Sequence, residues 1–260
     1  MMASFIGVDL AWQCEGNHSG LAVFRGDLDG AHPVSFGTGA TDLDAVTDFI
    51  LANRTESSVV AIDAPLIIQN ASGQRPCETL VSKKFGTSHA GAHTSNLRLY
   101  PNAGGVALAR RLESLGFRHC VSPGNDWSTS GHWFFEVYPH PAQVVLFQRE
   151  RIIKYKKGLV AARKSGLMEL RQEIRSRILR PRHSLQSSPA LLEFLSQELT
   201  PLRGAMLKRY EDALDAIVCS FLAFHLWRWG WQRSEFIGDM TSGYIVVPTV
   251  PLKRSSEPEA

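Results

Sequence analysis

Apolar and polar positions along the chain fall into short blocks whose period changes from two to three or four. SFIGVDLAW is a compact apolar run that ends in polar residues, and GLAVFRG and HPVSFGTG follow across turn-like GDLDGA. These blocks predict three successive strands in an antiparallel meander. TDLDAVTDFILANRT carries apolar residues at helical spacing behind an N-cap candidate, Thr41 or Asp42. SSVVAIDAP then reads as a fourth strand, apolar until Asp63, as a central strand covered on both faces would be. Residues 64–102 are rich in Gly, Ser, Asn, His and Pro and read as a long loop of the functional or disordered kind. GGVALARRLESLGF resumes as a helix, and HWFFEVYPHP is a fifth strand stopped by Pro139 and Pro141. Residues 141–203 look mostly helical, a long helix runs from about Gly204 to Trp229, and GYIVVP is a candidate last strand. Hairpin-linked strands followed by crossover units predict an α/β fold, a mixed sheet with helices on its faces. The expectation is a single domain over residues 1–250, with an insertion at about 64–102 and a flexible tail at 251–260.

Composition narrows the class. The chain has 260 residues, 44% hydrophobic and 20% charged, an ordinary soluble globular balance. A net charge of +3 and a pI near 8.7 permit an anionic partner without requiring one. Cys14, Cys77, Cys120 and Cys219 are scattered with no CxxC pair, which argues against a zinc ribbon or a thioredoxin motif and for reduced thiols. MMASFIGVDL has no basic leader character, and the longest apolar run, Ala216 to Leu226, is too short to span a bilayer. The expectation is a cytoplasmic protein with no membrane partner.

The chemistry is carried by carboxylates. Asp9 ends the first strand and Asp63 the fourth, while Asp212 and Asp215 lie three apart on one face of the long helix, in YEDALDAIVCSFLAFH. If the first and fourth strands are parallel neighbours, their ends lie about 4.8 Å apart, at the edge of the sheet where α/β proteins bind ligands. Two carboxylates there repel each other and are costly to bury, and a divalent cation removes both problems. Mg²⁺ or Mn²⁺ would take such oxygen ligands, and two ions could activate water and stabilise a leaving oxygen. The plainer reading makes Asp9 and Asp63 turn caps and Asp212 a helix-dipole residue. Asp215 resists that reading, because apolar neighbours surround it and it needs a partner, a metal or an arginine. Glu136, which interrupts FFEVYP, is either a further ligand or general base, or one half of an ion pair with Arg75.

Together GVDLAW, AIDAPL, QRPCE, EVYPHP and YEDALDAIVCS resemble the DUF429 family, described as predicted nucleases of the ribonuclease H fold, over about residues 4–248. The last helix is also similar to that of the RuvC Holliday-junction resolvases. The resemblance implies a ribonuclease H-like mixed five-stranded sheet with helices on both faces and a long insertion after the fourth strand. It also implies two-metal phosphodiester hydrolysis, with Asp9, Asp63, Asp212 and Asp215 at the matching strand and helix positions. The expectation drawn from both readings is that Asp9, Asp63 and Asp215 hold the metals, and that Asp212 and Glu136 complete the shell or position water. The first strand continues as DLAW rather than the DxG of actin-like and hexokinase-like ATPases, which weakens the phosphotransferase reading.

The remaining motifs concern binding. Arg75, Lys83 and Lys84 in the insertion, and Lys154 and Lys156 in RERIIKYKK, are candidate contacts to a phosphate-bearing substrate such as nucleic acid. RSRILRPRH is a second basic run; either run also reads as a solvated helix face. His89 and His93 are a weak zinc pair with no further ligand set. His140 suits proton shuttling or a plain backbone hydrogen bond. Trp227, Trp229 and Trp231 suit core or homo-oligomer packing. Two alternatives stay open: a phosphotransferase or hydrolase of a nucleotide or other small phosphorylated molecule, and a non-catalytic binding module.

Overall fold

The computed structural model describes residues 1–12, 16–120 and 130–253. The meander is β1 (Ala3–Asp9), β2 (Ser19–Asp27) and β3 (Gly30–Ala40), each antiparallel to the one before. After helix α1 (Leu43–Ala52), β4 (Ser57–Ile62) returns parallel to β1. Asp42 is the N-cap of α1, and its Oδ1 accepts the Ala45 N–H at 2.8 Å. Helices α2 (Pro76–Phe85) and α3 (Gly104–Ser114) precede β5 (Arg118–His119) and β6 (Gly131–Glu136), which are parallel to each other, and β6 is parallel to β4. The sheet order is β3-β2-β1-β4-β6-β5. It has six strands rather than the expected five, because the two-residue β5 is too short to show any periodicity.

The period-two pattern of the strands divides the core. Ile6, Val8, Val60 and Ile62 meet Val46, Ile50, Leu108 and Leu112 of α1 and α3 on one face. Phe5, Ala22, Val59 and Ala61 meet the long helix on the other. Along the chain that side is built from α4 (Pro139–Leu146), α5 (Val160–Glu173) with a π-turn over Ile174–Ile178, α6 (Pro189–Phe194) and α7 (Gly204–Trp229). Leu214, Ile217, Phe221 and Phe224 of α7 are at most 1% exposed. At about 1.5–3 kcal/mol for each such side chain, this apolar face outweighs the several kcal/mol that burying an ionised carboxylate costs. Asp212 and Asp215 are therefore held down at the sheet.

GYIVVP, the candidate last strand, is β8 (Gly243–Pro248), and it pairs with β7 (Ser234–Asp239) in a two-stranded hairpin. Part of the segment read as a loop is helix α2, with Pro76 in its first turn, and it lays Cys77, Val81 and Phe85 on Ile237, Ile245 and Val247 of the hairpin. Pro139, read as a strand stop, opens α4. Cys77, Cys120 and Cys219 are buried and form no disulfide among the described residues, and Cys14 lies outside the described residues, as do 254–260 of the tail. Trp227 packs edge-on against Phe5, whereas Trp229 is covered by the guanidinium groups of Arg228 and Arg233. Among the described residues, no helix is long and apolar enough to cross a membrane.

Candidate active site

Three neighbouring parallel strands end in acids. The register pairs Val8 with Ile62 and Ile62 with Glu136, and the Asp63 N–H donates to Val8 O at 2.8 Å. Asp9 and Asp63 are thus set side by side at the carboxyl ends of β1 and β4. Helix α7 brings the other two acids to the same end because two glycines let it approach. A Cβ on Gly7 would stand 2.0 Å from Ala216 O, and one on Gly20 would stand 2.1 Å from Asp212 O. Ser220 Oγ, 3.0 Å from Ala22 O and 3.2 Å from Phe5 O, fixes the helix along its length.

This close approach yields a prediction. Gly20→Ala should force α7 off the sheet at Asp212, cost about 1–3 kcal/mol, and weaken divalent-cation binding although every carboxylate is retained. The control is Gly86→Ala, where an added methyl meets nothing within 4 Å. Equal Mn²⁺ affinity for the two variants by calorimetry would show that the glycine is not what positions Asp212.

Each carboxylate has its own surroundings. Asp215 is fully buried; its Oδ1 accepts the Tyr155 hydroxyl at 2.7 Å, and that hydroxyl accepts from Gln143 Nε2 at 2.8 Å. Lys156 Nζ stands 2.9 Å from Asp215 Oδ2 and 3.9 Å from Asp63 Oδ2. The Asp215 carboxylate is thus served by the Tyr155 hydroxyl on Oδ1 and by the Lys156 ammonium at Oδ2. Asp212 is paired with His18 Nδ1 at 3.0 Å and with Lys208 one turn earlier, which also reaches Glu211 at 3.1 Å. Glu211 is completed by Arg163 at 3.0 Å. The carboxyls of Asp9 and Asp212 lie within hydrogen-bonding reach of each other, an arrangement that needs a shared proton or a cation.

Electrostatics follow from burial and crowding. Burial pushes Asp9 well above the usual carboxylate range; Lys156 opposes this, and Asp215 and Asp212 add to it. Burial likewise raises Asp63, again opposed by Lys156 and reinforced by Asp9 and Asp215. Burial pulls Lys156 down, but Asp215, then Asp9, Tyr155 and Asp63 more than reverse it, so the ammonium stays charged. The pocket is short of positive charge, and one lysine supplies part of it.

Those features decide whether a hard cation fits. Asp9, Asp63 and Asp215 offer carboxylate oxygens, the donor type that Mg²⁺ and Mn²⁺ take. As the side chains stand, no group of three or more His, Cys, Asp or Glu among the described residues is gathered closely enough to hold a metal. Lys156 lies between two of the candidate ligands, so a metal would have to displace its ammonium and draw the carboxylates together. The donor set fits; the present positions are those of a lysine-neutralised site.

The other sequence candidates lie elsewhere or are engaged. Glu136 accepts from Arg75 at 2.6 and 2.9 Å and from the Leu66 N–H at 2.9 Å. Arg75 also donates to Glu78 at 2.8 Å and to Ile67 O at 3.0 Å, and it is 1% exposed. This is the ion pair that the sequence held open beside a ligand role. Burial raises the Glu136 carboxyl, and Arg75 pulls it back only in part. Lys83 and Lys84 lie at the end of α2, Lys84 in an ion pair with Glu235, and neither lines the cavities at the carboxylates. Arg175 and Arg180 of the second basic run donate to the Leu192 and Lys253 carbonyls, and Arg177 to Glu173. His89 closes a 3₁₀ turn, so it and His93 do not share a helix face.

Lys208, His18 and Gln143 were not singled out by sequence, and Tyr155 stood out only as the aromatic residue in the basic run RERIIKYKK. Of the first three, Lys208 alone had a local signal, since it precedes Asp212 by one helical turn in KRYED. Asp9, Asp212, Lys208, His18, Trp12 and Tyr100 line a cavity of about 430 Å³, within the general range of small-molecule sites.

A family model described as "Protein of unknown function (DUF429)" matches residues 7–230, which takes in all five acids from Asp9 to Asp215. No curated protein and no solved structure matches the chain.

Proposed function

The chain belongs to the DUF429 family, and from the site we propose divalent-metal-dependent hydrolysis of nucleic-acid phosphodiester bonds on a ribonuclease H-like sheet. One observation carries this reading. Asp9 and Asp63, at the ends of adjacent parallel strands, lie near Asp215 of α7, so that three carboxylates crowd around the single ammonium of Lys156. Asp9, Asp63 and Asp215 would hold Mg²⁺ or Mn²⁺, which when bound would activate water and stabilise the leaving oxygen. Tyr155, itself oriented by Gln143, fixes the Asp215 carboxylate. Lys208 and His18 hold Asp212 beside Asp9. Glu136 acts through Arg75 as a scaffold for the strand end next to Asp63. Trp12 and Tyr100, in edge contact at 5.0 Å, offer aromatic surface to a base entering the cavity at Asp9.

A second reading, hydrolysis of a nucleotide or other small phosphorylated molecule, is favoured by a cavity at Asp9 of small-molecule size, about 430 Å³. A third, a non-catalytic module, is favoured by the Lys156 pairing, which neutralises the acids without metal.

The deciding experiment is calorimetric titration of wild type and Asp63→Asn with Mn²⁺, followed by cleavage assays on oligonucleotides and on nucleotides. Asp63→Asn should lose at least the ~10–100-fold in metal affinity that removing an outer partner alone costs, and cleavage with it. Equal Mn²⁺ heats in both proteins would remove the metal reading, and turnover of nucleotides alone would select the small-molecule one.

A further inference from the structure

Beyond the carboxylates, a cavity of about 450 Å³ opens between the segment that follows α2 and the segment that joins α4 to α5. Lys154, Lys156, Lys157, His93, His140 and Tyr138 line it, with Ile152 and Ile153 as an apolar wall, and no Asp or Glu takes part. His93 and Tyr138 also line the small cavity over Asp63, so the two spaces adjoin. Only Lys156 is neutralised, by Asp215. The ammonium groups of Lys154 and Lys157 enter no ion pair or hydrogen bond among the described residues.

The neutral side chains are arranged for hydrogen bonding. The Tyr138 hydroxyl donates to Gly91 O at 3.1 Å, so the contact with His140 Nδ1, also 3.1 Å, requires the ring to donate there. His140 Nε2 is then an acceptor. Burial, with Lys156 and Lys157 adding, lowers the His140 pKa to about 3, so the ring is neutral near pH 7. The cavity therefore combines two uncompensated cations, a hydrogen-bond acceptor and an apolar wall. A phosphodiester carries one negative charge, whereas a phosphomonoester carries about −1.5 to −2 at neutral pH. The monoester matches the two free lysines, and the acceptor suits a protonated phosphate oxygen or a sugar hydroxyl.

We propose that this basic cavity is a phosphomonoester-binding pocket that seats a terminal phosphate of the substrate beside the carboxylate site. The proposal rests on the phosphodiesterase reading for the word substrate, but the binding itself does not. It assigns Lys154 and Lys157 to recognition of a phosphate end and makes the enzyme selective for substrates that carry one.

The test is direct binding in EDTA of one oligonucleotide sequence in three forms: 5′-phosphorylated, 3′-phosphorylated and hydroxyl-ended. Wild type should bind one of the phosphorylated forms about tenfold more tightly, an increment within the range of a charge-assisted contact. That preference should vanish in Lys154→Gln/Lys157→Gln and persist in Asp63→Asn. Both lysines are exposed, so the double variant should melt with the wild type. Competition by inorganic phosphate would assign the pocket to phosphate groups of small molecules; a preference untouched by it would assign the pocket to nucleic-acid ends. Equal affinity for all three forms in wild type, or a preference that survives in the double variant, would overturn the proposal. Loss of Mn²⁺ binding only in Asp63→Asn would still leave the metal reading standing, so the two fail separately.

Discussion

Arg75→Met should lower the free energy of unfolding by about 3–5 kcal/mol, the cost of stranding a buried charge by removing its partner. The effect is large because two carboxylates depend on this one guanidinium. Glu136 and Glu78 are 3% and 1% exposed, and Arg75 bridges them with bonds of 2.6–2.9 Å. Glu78 also accepts the Ser95 N–H at 3.1 Å, so the network ties the segment after β4 to the end of β6. A Met of similar length fills the space and isolates the electrostatic loss from a cavity. Arg75→Met/Glu136→Met should regain part of the loss, since it removes one of the two stranded charges. Urea unfolding at unchanged m would measure both. A loss under about 1 kcal/mol in the single variant would be ordinary for a surface ion pair and would show that water reaches the network.

Lys156→Ala should destabilise the metal-free protein by about 2–4 kcal/mol, below the full figure for a buried pair because the lysine side chain is 27% exposed. Its removal leaves Asp215, Asp63 and Asp9 facing one another with no cation between them. The same change should make the site a better metal site, because no ammonium competes for Asp215 Oδ2. Added Mn²⁺ should therefore raise the melting temperature of Lys156→Ala by more than that of wild type, as ligand binding to the folded state alone requires. At about a hundred times Kd that gain is ~2.7 kcal/mol, enough to offset most of the initial loss. Equal Mn²⁺-induced shifts in the two proteins would mean that Lys156 does not stand at the cation position.

Much of the scaffold was legible from residue order. The apolar runs in SFIGVD and SSVVAI, the N-cap at Asp42 and the largely apolar helix ending at Trp229 are local signals, and the structure has strands and helices there. The acids at Asp9, Asp63, Asp212 and Asp215 stood out because each interrupts or ends an apolar run, and the parallel pairing of β1 with β4 brings the first two side by side. Helix α2 was hidden because only the narrow stripe Cys77, Val81 and Phe85 faces a partner, and that partner is a hairpin some 150 residues later, Lys84 to Glu235 being 151 residues apart.

The partners of the acids could not be read in the same way. KYKK looks like any solvated basic run, yet Tyr155 and Lys156 turn inward to Asp215, 60 residues away. Glu136 and Arg75, 61 residues apart, satisfy each other and leave the strand-end acid as scaffold. Periodicity and capping are set by neighbours in sequence, so the chain alone fixes which segments are strands and helices and which acids must be buried. Charge compensation is a long-range property, settled by whichever cation the folded chain carries to each acid, and only the tertiary structure shows that lysines and an arginine now hold those places.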